Sequence, residues 1–251
     1  MLTARLLLLC CLPVFLAIPS IAAAQKEVPL QAPLYARTNS FGIFSAYSNN
    51  SSPVLLGESR QRKLLEVGAS YSRRIVLNRK LNWQYDGEIL PLVFDSDPVE
   101  TVTFTVTDGD PPKTTATTST DVPATACHSE NFTEGNPSDS FTLIVTCSRR
   151  WVYGGGISPV GFRWNFLPQH KLQPFLVGHG GFLETINAIP VRFAGSFNFT
   201  FDLGAGFELY RSNSRSWRAE YRYHHISNAL TAPLNPGIDS GLFQVSYVFG
   251  R

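Results

Sequence analysis

Near the C-terminal end, the stretch EYRYHHISNALTAPLNPGIDSGLF (220–243) gathers two histidines, a serine, an asparagine and an aspartate around a Pro/Gly turn. Read as a β-strand, it divides into two faces. Trp217, Ala219, Tyr221, Tyr223, His225 and Ser227 share one; Arg218, Glu220, Arg222, His224 and Ile226 share the other. Residues two apart on a strand face are separated by roughly 6.6 Å along the chain, near enough for the side chains of His225 and Ser227 to meet. Beyond the turn, Asp239 has the parity of Phe243, Val245 and Tyr247, so pairing of the two strands would set a carboxylate beside His225. A serine that gives its proton to an imidazole, itself oriented by a carboxylate, is equipped to hydrolyse esters. Asn228 and nearby backbone N–H groups are the expected donors to the oxyanion. His224 falls among Arg and Glu and reads as a structural hydrogen-bonding residue. Because neighbouring strand residues face opposite ways, a metal site at His224-His225 is not expected. The chemistry calls for no metal and no cofactor. Ser, His and Asp are also common around outer turns, so spacing alone leaves a non-catalytic reading open.

The elements that must position these residues are strands. The chain has 251 residues, of which 43% are hydrophobic and 16% charged, with a net charge of +2. That length suits one domain, and the charge gives no basic surplus for a nucleic-acid partner. Residues 1–24 combine Arg5, an apolar run from Leu6 to Ile18 and Ala22-Ala23-Ala24, the pattern of a cleavable secretory signal. Its removal leaves Cys127 and Cys147, which an exported chain is expected to join as a disulfide. No later segment is apolar for long enough to span a membrane as a helix, which leaves an exported soluble protein or a closed β-barrel.

Alternation favours the barrel. Between 196 and 209, Phe197, Phe199, Phe201, Leu203, Ala205, Phe207 and Leu209 oppose Asn198, Thr200, Asp202, Gly204, Gly206 and Glu208. The run is long enough for a membrane-crossing strand, which needs about 9–11 residues. Weaker versions recur at 64–71, 81–89, 161–166 and 241–250, while 40–48 and 175–183 alternate poorly. With the strand at 217–228 this predicts an all-β, eight-stranded antiparallel outer-membrane barrel formed by residues 25–251. Connections near 77–80, 167–171 and 211–216 are short; those near 50–60, 95–151, 184–195 and 229–238 are longer, as in such barrels. Pro91 and Pro159 fit only at bulges or strand ends, since a closed barrel has no edge strand to host them. Segment 95–151, rich in Thr, Pro, Asp and Ser, reads as one long extracellular loop or a hairpin extending its parent strands, stapled by the two cysteines.

RYHHISNA followed by NPGIDS resembles the signature of the lipid A 3-O-deacylase (PagL) family of outer-membrane enzymes, which carry His-x-Ser-Asn near the top of a late strand and an acid after the next turn. The resemblance implies His225 as general base, Ser227 as nucleophile, Asn228 as oxyanion helper and Asp239 at the position where the family commonly has glutamate. It implies an eight-stranded barrel whose site faces the outer leaflet, and lipid A, the membrane anchor of lipopolysaccharide, as substrate. Homodimerisation is left open. Two other readings stand beside it: a non-enzymatic small barrel acting structurally or adhesively through 95–151, and an outer-membrane phospholipid esterase.

Overall fold

The structure is a computed structural model that describes residues 35–109, 111–118 and 122–251. The expected signal at 1–24 lies outside the described residues. Among the described residues there are eleven strands: β1 (Asn39–Ser48), β2 (Lys63–Leu77), β3 (Leu81–Asp108), β4 (Lys113–Thr118), β5 (Val122–Pro123), β6 (Glu130–Asn136), β7 (Asp139–Phe166), β8 (Leu172–Thr185), β9 (Phe197–Ser212), β10 (Arg215–Ser227) and β11 (Ile238–Gly250). Eight of them, in the order β3-β2-β1-β11-β10-β9-β8-β7, form a ring closed by pairing of β3 with β7. Every pairing in the ring is antiparallel, and chain neighbours are spatial neighbours. This is the predicted barrel, with short turns at one end and long connections at the other.

The wall reverses the polarity of a soluble protein. On β9, Phe197, Phe199, Phe201, Leu203, Phe207 and Leu209 are exposed, while Asn198, Thr200, Asp202 and Glu208 are buried in the lumen. An apolar outer wall suits hydrocarbon, and closure leaves no backbone edge for it to strand. Toward the turn end, Trp217 packs edge-on against Tyr247 (centroids 5.0 Å apart) and Phe41 against Tyr71 (5.2 Å), giving the wall an aromatic girdle.

The lumen is filled. Arg163 donates to Asp86 (2.7 Å) and Glu220 (3.2 Å) and lies over the Phe175 ring, while Arg222 makes a two-pronged bond to Glu88 (2.9 and 2.7 Å). Glu88, His179 and Asp202 bring ligand-type atoms within 4.8 Å of one another, but Glu88 is already bonded to Arg222 and Asp202 to His224. Higher up, Phe44, Leu64, Leu90, Val93, Val152, Leu183, Ile226, Ile238 and Leu242 form an apolar plug. His224 points inward to Asp202, as parity predicts.

Pro91 falls inside a register shift between Leu90 and Val93, and Pro159 inside one between Ile157 and Val160. Both prolines therefore sit at bulges, where no ladder N–H is required. Of the two forms expected for 95–151, the structure has the one in which the parent strands extend as a pair. β3 and β7 stay paired out to Asp108 and Asp139, with β4 and β6 on their flanks and β5 beside β3. Cys127 and Cys147 form the expected disulfide, with Cα atoms 5.9 Å apart.

Candidate active site

Register decides the site. On adjacent strands β10 and β11, His225 lies directly opposite Asp239. His225 Nδ1 is 2.7 Å from Asp239 Oδ1, and since a carboxylate only accepts, the proton sits on Nδ1 and leaves Nε2 as the acceptor. Tyr223, two residues earlier on the same face, donates its hydroxyl to the same oxygen at 2.7 Å. The other oxygen, Oδ2, accepts the consecutive backbone N–H groups of Val54, Leu55 and Leu56 at 3.2, 2.8 and 2.9 Å. Five donors thus converge on one carboxylate that is fully buried. The aspartate reaches its histidine despite being one methylene shorter than glutamate, because the strands are in direct register and the connection at 49–62 closes over it.

That connection is anchored at both feet. Ser51 bridges to Ser240 and Ser59 to Ile238, and Glu58 N–H donates to Pro236 O at 2.6 Å. The approach requires glycine. A Cβ on Gly57 would come within 2.5 Å of Asp239 N and 2.9 Å of its Oδ1, and Gly237 opposite it has φ +59° beside the His225 ring. Gly57→Ala is expected to lift the segment off Asp239. Hydrogen bonds to a charged group are worth about 1.5–3 kcal/mol each, so amide exchange at Leu55 and Leu56 should accelerate by roughly 10- to 100-fold while the barrel strands keep their protection.

Ser227 follows His225 on the outward face of β10 and is half-buried, and no hydrogen bond joins its hydroxyl to His225 among the described residues. Asn228 is placed differently from the expectation. Its side-chain amide donates to the carbonyls of Ala194 and Leu234, and its Oδ1 accepts from Leu230 N–H. Both amide hydrogens expected at an oxyanion are therefore committed to shaping the β10–β11 connection. Directly after it, Ala229 and Leu230 have φ of +50° and +64°, and Ala229 N–H meets no acceptor among the described residues. His225 has the outward parity of β10 but is only 8% exposed, with Gly237 lying beside its ring. Tyr223 was legible as an aromatic at His225 minus two; the backbone clamp on Asp239 carries no signal in side-chain type.

Below the site, an apolar cavity of about 500 Å³ runs along the outer wall, where Ala205 and Ala219 form a floor between Leu176, Phe207, Tyr221 and Phe243. A closed, lipid-facing barrel with a His–Asp pair in its wall defines a small membrane-embedded protein of enzyme-like construction. The model of the lipid A 3-O-deacylase (PagL) family matches residues 112–248, over half of the chain and including His225, Ser227, Asn228 and Asp239, and the chain belongs to that family. Its setting is the outer membrane, and its family is one that modifies lipid A. Among solved structures it is similar to the outer membrane enzyme PagL (13% identity, TM-score 0.45, covering 84% of this chain and 99% of that one). It is also similar to Neisserial surface protein A (13%, 0.43, 85% and 97%) and to OprG from Pseudomonas aeruginosa (10%, 0.37, 87% and 100%). No curated protein matches it.

Proposed function

We propose that this protein is an outer-membrane serine esterase that removes an ester-linked 3-hydroxyacyl chain from lipid A. The observation that carries the proposal is the 2.7 Å bond between His225 Nδ1 and Asp239, set on the outward face two residues from Ser227 in a member of this family. Ser227 Oγ attacks the ester carbonyl as His225 Nε2 takes its proton, and Asp239 stabilises the imidazolium that forms. Collapse of the tetrahedral intermediate breaks the bond to the sugar oxygen, which leaves with the proton from His225. Water activated by the same nitrogen then hydrolyses the acyl-enzyme, releasing a 3-hydroxy fatty acid and restoring Ser227. In this cycle the oxyanion donor is the Ala229 N–H rather than the Asn228 side chain, whose part is to build the turn that presents it. The acyl chain lies along the outer wall, in the cavity below Tyr221 and Phe243. A substrate confined to the leaflet needs no soluble pocket.

Mass spectrometry of lipid A from cells expressing the protein tests this. The expected result is loss of the mass of one 3-hydroxyacyl chain, with phospholipids unchanged. An unaltered lipid A profile in cells with correctly inserted barrel would refute the assignment, and fatty-acid release from phospholipid instead would redirect it to a different lipid.

A further inference from the structure

Val54, Leu55 and Leu56 combine two properties. Their backbone N–H groups hold Asp239, yet the residues are 63%, 75% and 64% exposed. Three consecutive aliphatics left open to water would be a fault in a loop without a role. Their position says what covers them. Asp239 shares the outward face of β11 with Phe243 and Val245, so a segment that caps its carboxylate lies on the outer side of the wall. Asp239 stands eight residues above Tyr247 of the lower girdle, roughly 26 Å of strand. In a tilted barrel, that distance spans most of an apolar band about 25 Å tall. The segment is therefore continuous with the upper edge of the lipid-facing belt. On the other side of Ser227, Leu230 is exposed to 81%, so aliphatic side chains bracket the His225–Ser227 face.

Resting on the esterase reading above, we propose that Val54, Leu55 and Leu56 form a lipid-inserting clamp that couples engagement of the acyl-chain surface to placement of Asp239. The occupant is the acyl-chain layer of the outer leaflet, including the chains of the substrate. With the side chains seated in hydrocarbon, the three amides are held against Asp239 Oδ2. Without lipid, the segment is free to lift and the acid loses three of its five donors.

The test compares the refolded, unsubstituted protein with Leu55→Ser/Leu56→Ser, which keeps every backbone N–H. Two substrates are used: lipid A in phospholipid vesicles and the water-soluble p-nitrophenyl acetate. The expected result is a drop of tenfold or more in kcat/KM on vesicle lipid A and a fall on the soluble ester as well, since both need Asp239 in place, with amide exchange at positions 55 and 56 accelerated while β10 and β11 keep their protection. No loss on either substrate, or a loss without faster exchange at positions 55 and 56, overturns the clamp. A second arm does not depend on activity: Leu55→Trp in vesicles carrying brominated acyl chains should show fluorescence quenched beyond that of the unsubstituted protein, and unquenched added fluorescence overturns the proposal. If the unsubstituted protein hydrolyses neither ester, the esterase reading fails, and the quenching arm alone decides whether the segment lies in lipid.

Discussion

Ser227→Ala is expected to abolish 3-hydroxy fatty acid release, lowering the rate by roughly four to six orders of magnitude. The size follows from the cooperative character of the three groups. Without the hydroxyl, His225 Nε2 has no proton to receive and no acyl-enzyme forms, so only binding and the oxyanion donor remain. His225→Ala should be about as damaging, and the double variant scarcely worse than either single one. Asp239→Asn probes a different link. The amide can place its NH₂ where the carboxylate now accepts from His225 Nδ1, which favours the wrong tautomer, and a loss of about 10⁴-fold is expected. With the NH₂ on that side, the amide oxygen still faces the N–H groups of Val54, Leu55 and Leu56 but without the negative charge, so lost rate should be accompanied by somewhat faster amide exchange in that segment. Single-turnover kinetics on lipid A, with gel mobility of unheated samples as the check on folding, distinguishes these outcomes. Activity in Ser227→Ala above one percent of the unsubstituted rate would exclude Ser227 as nucleophile.

Arg163→Ala is expected to be the most destabilising single change in the lumen. The guanidinium bonds to Asp86 and Glu220 and covers the face of Phe175 at 4.3 Å, while Asp86 and Glu220 are themselves buried. Desolvating these charges costs several kcal/mol per ion, and the ion pairs offset that only while both signs are present. Truncating the cation leaves Asp86 with a hydrogen bond from Ser72 and Glu220 with Arg222, and removing one member of a buried ion pair costs about 3–5 kcal/mol. Arg163→Lys should fall between, keeping the charge but losing the planar fork that serves two acids at once. Urea-induced unfolding in lipid vesicles, followed by the gel shift between folded and unfolded barrel, measures both. An Arg163→Ala barrel within 1 kcal/mol of the unsubstituted one would show that the lumen is hydrated enough to screen its charges.

The elements that were clear in the sequence were those whose inner face is polar along its whole length. In β9, Asn198, Thr200, Asp202 and Glu208 alternate with six large apolar residues, and its extent could be read directly. The strands β1 and β8 alternate poorly for a physical reason: Phe44 and Ala46 point into the apolar plug, and Phe175 and Val177 are buried in the lumen, so both faces look apolar. The pairing of His225 with Asp239 was legible because register fixes parity and the intervening turn fixes register. The clamp from 54–56 was not, since its contribution is made by backbone N–H groups that any residue would supply. Asn228 shows the complementary limit. Residue type announced a donor, but only the fold revealed that Ala194 and Leu234 already receive its hydrogens.

The paired arm of β3 and β7 has a consequence for how far this protein extends beyond its membrane. β2 leaves β3 at Ser96, and β7 parts from β8 at Gly154, yet the arm continues to Asp108 and Asp139. Twelve further residues of strand correspond to roughly 40 Å, comparable to the thickness of a whole bilayer. In the esterase reading proposed above, the site itself stays low, at the level where acyl chains meet sugar. The molecule therefore occupies two depths at once, and a tag or binding peptide fused at the far end of the arm would be displayed well clear of the lipid surface without approaching His225.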